Sequence, residues 1–191
     1  LSRPEDIETA NDLNIEYIGF VFAKKSKRYV TPETAKELRS RLKEGIKAVG
    51  VFVDEEPESV AELLKEGIID IAQLHGNEDE EYIKTLRSLT AAPIIKAFTV
   101  KAPEDVKKAE ASSADMILLD SGKGSGMTFN WQHIKGIKRP YFLAGGLSPE
   151  NAAEAVRTLH PYALDVSSGI ETDGKKDPEK MKRFKEKAKE A

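Results

Sequence analysis

The sequence predicts an α/β protein whose parallel strands close into a (βα)8 barrel, the TIM barrel, with its first strand absent from the 191 residues. Short apolar runs rich in β-branched residues alternate with longer charged segments of helical period. The runs recur at roughly even intervals, close to the ~30 residues of a βα unit. Seven such runs accompany eight helical segments, so one strand of an eightfold barrel is unaccounted for.

The chain opens on a helical segment, in which Ser2 and Glu5 are spaced as a capping box around Pro4. The predicted strands follow at residues 17–22, 48–53, 69–74, 94–98, 116–120, 141–144 and 163–166. Later helices begin where a capping residue precedes a proline, as at Thr31-Pro32 and Asp177-Pro178. Seven strands would leave a gap in the barrel wall, so we expect the missing strand to belong before Leu1.

The composition argues against several classes of function. Basic and acidic residues number 30 and 33, so there is no bulk electrostatic case for binding nucleic acid or an acidic membrane surface. The chain has no cysteine and three scattered histidines, which argues against a metal site and excludes disulfides. No apolar run reaches the ~20 residues of a membrane span. We therefore expect a single cytoplasmic domain over residues 1–191.

Two turns rich in glycine and serine follow the last two predicted strands. In barrels of this kind, these positions often hold a phosphate group. The segment LAGGLSPEN places Gly145 and Gly146 between a strand and a helix, where backbone N–H groups can approach an anion. The segment LDVSSGIE adds Ser167, Ser168 and Gly169 after the final strand. Either turn alone is explained by a tight connection, but the pair predicts a phosphate site.

Asp120 ends a run that is otherwise hydrophobic, in the segment MILLDSGKGSG. A carboxylate that caps the loop and an acid or base aimed into the barrel mouth explain this position equally well. The glycine-rich loop at residues 122–126 is suited to closing over a ligand.

Two earlier strands are also followed by polar residues. Gln73 and His75 end one strand in QLHGNED, where a lone histidine is more often structural than catalytic. Arg28 lies in the basic loop FAKKSKRYVTPE. A solvated basic loop accounts for it, but a planar guanidinium is also suited to clamping a carboxylate.

Taken together, the segments GFVFAKKSKRYVTPE, QLHGNE, LLDSGKGSGMTFNW, LAGGLSPENAAEA and DVSSGIETDGKKDPEKM resemble phosphoribosylanthranilate isomerase of tryptophan biosynthesis. The similarity runs in order from the first helix to the last. It implies an eightfold barrel, monomeric or homodimeric, that uses no cofactor. It also implies an Amadori rearrangement of a small phosphorylated substrate, N-(5-phosphoribosyl)anthranilate, to 1-(o-carboxyphenylamino)-1-deoxyribulose 5-phosphate.

The resemblance also implies roles for individual residues. Asp120 corresponds to the general acid, and Arg28 to the arginine that contacts the anthranilate carboxylate. Asp165 points into the pocket, which Gln73 and His75 line. The residues that match the phosphate-binding loops are Gly145, Gly146, Ser167, Ser168 and Gly169.

One expected residue has no counterpart. The family's general base is a cysteine on the first strand, in a K-[IV]-C-G stretch directly before the first helix, and the 191 residues contain no cysteine. We therefore expect this polypeptide to show little isomerase activity. Two alternatives stay open. One is a phosphate-binding barrel without catalysis. The other is indoleglycerol phosphate synthase, an enzyme that relies on a catalytic lysine at a strand end, for which Lys96 is the candidate.

Overall fold

All seven predicted strands are present in the computed structural model, which describes residues 1–120, 131–134 and 136–190. The glycine-rich loop at 122–126 lies outside the described residues. The chain comprises two units, Leu1–Lys96 with Ser113–Asp115 and Ala97–Ser112 with Met116–Ala191. Each unit is described separately below.

In the first unit, parallel strands alternate with helices, and each strand pairs with the next one along the chain. Residues Val51 and Gln73 are partners in the register, as are Leu74 and Lys96. The elements, in order, are α1 (Pro4–Asp12), β1 (Tyr17–Val21), α2 (Pro32–Ser40), β2 (Lys47–Phe52), α3 (Pro57–Lys65), β3 (Ile71–Leu74), α4 (Glu80–Leu89) and the start of β4 (Ile94–Thr99).

The second unit repeats this alternation and adds a hairpin that the sequence does not predict. Its elements are α5 (Pro103–Ala111), β5 (Met116–Asp120), β6 (Tyr141–Ala144), α6 (Ala152–Leu159), β7 (Ala163–Leu164), β8 (Glu171–Thr172), β9 (Lys175–Lys176) and α7 (Pro178–Lys189). Strand β6 pairs in parallel with β5 and with β7, whereas β8 and β9 are antiparallel. The described residues contain seven α-helices, against eight predicted helical segments, and a 3₁₀ helix, Trp131–His133, lies between β5 and β6.

Two strands, β3 and β6, are buried on both faces, as continuous apolar sequences predict. Every residue of β3 and of β6 is buried. Two residues of the strands break the apolar pattern while staying buried, Gln73 and Lys96. No buried side-chain nitrogen or oxygen of the described residues lacks a hydrogen-bond partner. Among the described helices, none has both the length and the apolar character needed to cross a membrane.

The start of α1 differs by one residue from the prediction. Arg3 is the N-cap and Pro4 the first helical residue, so the third helical position is Asp6 rather than Glu5. The Asp6 carboxylate accepts the backbone N–H groups of Ser2 and Arg3, both at 3.2 Å. The predicted pairing of Ser2 with Glu5 is therefore wrong, because the proline fixes where the helix begins.

The Asp115 side chain forms a hydrogen bond with the backbone at the start of β4. Its Oδ2 atom accepts the backbone N–H of Ile94 at 2.8 Å and lies 2.7 Å from Nη2 of Arg87. Burial by itself would raise the pKa of this carboxyl group, but the hydrogen bonds from Ile94 and Arg87 outweigh it and lower the pKa.

We expect Asp115→Asn to lower the free energy of unfolding at pH 7 by less than about 1 kcal/mol, since the side chain is 40% exposed and solvent screens the pair. The pKa of Asp115 in the folded state lies below its unfolded value of ~3.9. The carboxylate therefore makes its full contribution to the free energy of unfolding when the pH is above ~3.9. This contribution is lost as the pH falls through the folded pKa. Urea unfolding of the unmodified chain and of Asp115→Asn, at pH 7 and at pH ~2, measures the difference between their free energies of unfolding. A difference of the same size at both pH values would contradict the prediction.

Candidate active site

Two carboxylates lie at the same level on the strands that flank β6. Asp120 closes β5 and is the register partner of Ala144, while Leu143 is the partner of Leu164. The backbone N–H of Asp165 donates to the Leu143 carbonyl at 2.8 Å, which extends this alignment one step beyond β7. With ~4.8 Å between neighbouring strands, the backbones of Asp120 and Asp165 are roughly 10 Å apart. Both residues are half-buried.

The turn after β6 has a conformation that requires glycine. Gly145 and Gly146 have φ angles of +90° and +64°, which side chains rarely tolerate. The Asn151 side chain ties this turn to the start of α6. Its Oδ1 accepts the Ser148 N–H at 2.8 Å, and its Nδ2 donates to the Gly146 carbonyl at 3.0 Å. The shape of the turn is therefore fixed by side-chain hydrogen bonds.

The turn after β7 lies directly against the turn after β6. A Cβ atom built on Gly169 would lie 1.9 Å from the Leu147 carbonyl oxygen, so no side chain fits at this position. The hydroxyl-bearing residues Ser167 and Ser168 are exposed. The structure thus brings the two glycine and serine turns together at the carboxyl ends of β6 and β7, where their N–H and O–H groups are suited to an anion.

A lysine that the sequence analysis did not single out supports the second turn. The Lys176 ammonium group donates to the Ser167 carbonyl at 2.8 Å and to Oε1 of Glu171 at 2.9 Å. Only 9% of the lysine side chain and 11% of the glutamate side chain are exposed. Both belong to the β8–β9 hairpin, whose two-residue strands are too short to leave a pattern in the sequence.

In the first unit, Gln73 and His75 form a pair at the end of β3. The Gln73 side chain is buried in the strand, and its Oε1 lies 2.9 Å from Nδ1 of His75. Since that oxygen can only accept, this contact favours the tautomer that carries the ring proton on Nδ1. The backbone N–H of His75 donates to the carbonyl of Phe52, at the end of β2 (2.8 Å).

Arg28 also belongs to the first unit, in the loop between β1 and α2. Its backbone N–H donates to Oγ of Ser26 at 3.1 Å, and its side chain is half-buried. The next residue, Tyr29, forms an isolated parallel bridge with Val21. The loop that carries Arg28 is therefore attached to the end of β1.

Lys96 is not available as a free amine. Its ammonium group donates to the carbonyl oxygens of Leu74 (3.3 Å) and Gly76 (2.8 Å) and to Oε2 of Glu78 (2.9 Å). These three acceptors use the full donor capacity of an ammonium group. This argues against the catalytic lysine that the indoleglycerol phosphate synthase hypothesis requires. The sequence signal for Lys96 was one charged residue within an apolar strand.

A groove of about 610 Å³ lies between α2 and α3 of the first unit, and no predicted site residue lines it. Its base contains Phe22 and Phe52, whose rings stack at 5.2 Å. Its walls carry charges of both signs, including Lys36 and Glu66, which pair with each other. Its lining contains two lysines and four glutamates, and this excess of negative charge is unsuited to an anionic ligand.

Comparison with known proteins agrees with these features. Residues 1–187 match the family model for N-(5'phosphoribosyl)anthranilate (PRA) isomerase. A relative from Thermoanaerobacter sp. (strain X514), named N-(5'-phosphoribosyl)anthranilate isomerase, is 44% identical over 194 residues, which cover 98% of this chain and 94% of the relative.

Solved structures show the same similarity. Phosphoribosyl anthranilate isomerase from Thermotoga maritima superposes with a TM-score of 0.91 at 36% identity, covering 100% of this chain and 96% of that one. A structure of the isomerase in complex with reduced 1-(o-carboxyphenylamino)-1-deoxyribulose 5-phosphate has a TM-score of 0.89 at 35% identity, with the same coverage. These superpositions confirm the predicted fold class. The chain belongs to the N-(5'-phosphoribosyl)anthranilate isomerase family.

Proposed function

We propose that this protein catalyses the Amadori rearrangement of N-(5'-phosphoribosyl)anthranilate to 1-(o-carboxyphenylamino)-1-deoxyribulose 5-phosphate in tryptophan biosynthesis. One observation carries the proposal beyond family membership. Asp120 lies at the strand ends of the same unit in which two glycine and serine turns meet. An acid close to a phosphate site is what ring opening of a phosphorylated aminosugar needs.

In the proposed reaction, the Asp120 carboxyl group donates a proton to the ribose ring oxygen. The bond between C1 and that oxygen breaks, and the nitrogen lone pair forms a Schiff base with C1. A general base then removes the proton from C2, which gives an enolamine. Tautomerisation of the enolamine yields the ketone at C2 and a CH₂ group at C1. The net change is a shift of hydrogen within one molecule, so neither an oxidant nor a reductant is consumed.

The remaining predicted residues would bind the substrate. The two turns supply backbone N–H groups and hydroxyls for the phosphate through Gly145, Gly146, Ser167, Ser168 and Gly169. We assign the anthranilate carboxylate to Arg28, whose guanidinium can make two parallel hydrogen bonds to it. Contacts with the rest of the substrate are assigned to Asp165, Gln73 and His75.

We also propose that the protein works in the cytoplasm on a free small molecule, without a cofactor, a nucleic-acid partner or a membrane, as a monomer or homodimer. The near balance of 30 basic and 33 acidic residues supports this assignment.

The test compares residues 1–191 with the same chain extended at its start by a strand that ends in Lys-Ile-Cys-Gly. The backbone nitrogen of Leu1 donates to the Gly19 carbonyl of β1, so an added strand would continue along β1. We expect the extension to raise kcat for N-(5'-phosphoribosyl)anthranilate by ~10²–10⁴-fold, the usual contribution of a general base. An extension with serine in place of cysteine is the matched control.

Full activity of residues 1–191 alone would contradict this assignment of the base. A second function, phosphate-ligand binding without catalysis, would need only the two glycine and serine turns that meet after β6 and β7. It predicts that the product analogue binds but that the extended chain, with its cysteine, still shows no turnover.

A further inference from the structure

The first unit contains a buried ion pair that the proposed reaction does not use. Lys96 and Glu78 lie 2.9 Å apart, with only 7% and 1% of their side chains exposed. A pair of this kind seldom stabilises a protein more than apolar residues of similar volume would, because both charges lose their hydration. Its presence therefore calls for an explanation other than stability.

The Glu78 carboxylate binds three donors. Its Oε1 accepts the backbone N–H of Asp54 at 2.8 Å, and its Oε2 accepts the backbone N–H of Gly76 at 2.9 Å as well as the Lys96 ammonium group. One side chain thus joins the loop after β2, the loop after β3 and strand β4.

The partners of Lys96 and Glu78 lie on both sides of His75 in the chain. Lys96 binds the carbonyls of Leu74 and Gly76, the residues directly before and after the histidine. Glu78 binds the N–H of Gly76, and the histidine's own N–H is bound by the Phe52 carbonyl. The backbone from Leu74 to Gly76 is therefore held by four hydrogen bonds to fixed partners.

Steric contact adds to this restraint. A Cβ atom on Gly76 would lie 2.5 Å from Oδ1 and 2.8 Å from the backbone nitrogen of Asp54, so the two loops touch. The Asp54 carboxylate also accepts the backbone N–H of Asn77 at 2.6 Å and its side-chain amide at 3.0 Å. Asp54 has a φ angle of +51°, a conformation that such contacts can maintain at a non-glycine residue.

We infer that Lys96 and Glu78 are positioning residues, which fix the backbone around His75 so that its imidazole keeps one orientation. The imidazole itself is held by Gln73 through the 2.9 Å contact at Nδ1. A pair of apolar residues could fill the same volume but could not bind two carbonyls and two N–H groups. The part of this inference that concerns ligand affinity rests on the proposed function, whereas the orientation of His75 does not.

The experiment uses the double variant Lys96→Met/Glu78→Met, which leaves no uncompensated buried charge, and the single variant Glu78→Gln, which keeps the size of the side chain. The ¹⁵N NMR signals of the His75 ring report its tautomer and mobility, and variants of His133 and His160 assign them among the three histidines. We expect the unmodified chain to show one tautomer protonated at Nδ1, and both variants to show averaged signals.

Titration with reduced 1-(o-carboxyphenylamino)-1-deoxyribulose 5-phosphate measures the consequence for binding. We expect the variants to bind this probe more weakly by up to ~10²-fold, because a small displacement of a binding group is costly. Leu86→Ala, a cavity variant in a buried position of α4, controls for general loss of stability and should leave the His75 signals unchanged.

Unchanged His75 signals in Glu78→Gln or in the folded double variant would overturn the inference, as would averaged signals in Leu86→Ala. If the double variant does not fold, Glu78→Gln decides. If the unmodified chain fails to bind the probe, the proposed function is contradicted, while the NMR comparison still tests the positioning role.

Discussion

Asp120→Asn is expected to reduce kcat for N-(5'-phosphoribosyl)anthranilate by ~10²–10⁴-fold in the strand-extended chain. The amide has nearly the size of the carboxyl group but cannot protonate the ribose ring oxygen. Because Asp120 ends β5 and the two glycine and serine turns follow β6 and β7, we expect the substitution to leave those turns intact. The affinity for the reduced product analogue should therefore change little. Steady-state kinetics and titration of the same variant measure the two effects.

Asp115→Asn is the matched control for this variant, since it makes the same chemical change just before β5 at a residue that pairs with Arg87. It should keep the kcat of the parent chain. Loss of activity in both variants would indicate a general effect of removing a carboxylate, and a kcat for Asp120→Asn within tenfold of the parent would refute its role as the acid.

Gly169→Ala is expected to weaken phosphate binding by at least about tenfold, which corresponds to ~1.4 kcal/mol. The added methyl group would lie 1.9 Å from the Leu147 carbonyl oxygen, far closer than any real contact, so one of the two turns must move. The N–H and O–H groups that we propose as phosphate donors would then no longer face the same point. Calorimetric titration with the reduced product analogue measures the change.

Gly19→Ala provides the control, because among the described residues its methyl group would meet only a side-chain carbon of Val51, at an ordinary 3.9 Å. We expect this variant to bind the analogue like the parent chain. Equal affinities for Gly169→Ala and the parent would show that the contact between the two turns does not matter for binding.

The strands were predictable because a parallel strand buried on both faces needs an uninterrupted apolar sequence. For the same reason, a polar residue inside such a run is informative. Asp120, Gln73 and Lys96 each break an apolar run: Asp120 ends β5, Gln73 lies one residue before the end of β3, and Lys96 lies in the middle of β4. The pattern indicates that such a residue needs a polar partner. It does not reveal which partner the fold supplies.

The partners depend on contacts between residues distant in the sequence. Lys96 meets Glu78 across 18 residues, and Gly169 meets Leu147 only because β6 and β7 are neighbours. The 3₁₀ helix between β5 and β6 and the hairpin that carries Lys176 are too short for periodicity to detect. Family resemblance singled out the two glycine and serine turns as the proposed phosphate site, but not the side chains that support them.

A crystal structure of the chain with reduced 1-(o-carboxyphenylamino)-1-deoxyribulose 5-phosphate is the most direct test of the claim that Asp120 and the paired turns serve one ligand. We expect the ligand phosphate within ~3 Å of backbone N–H groups in both turns, and the Asp120 carboxylate beside the carbon chain derived from the ribose. A phosphate bound instead in the groove between α2 and α3, or an Asp120 carboxylate without ligand contact, would contradict it.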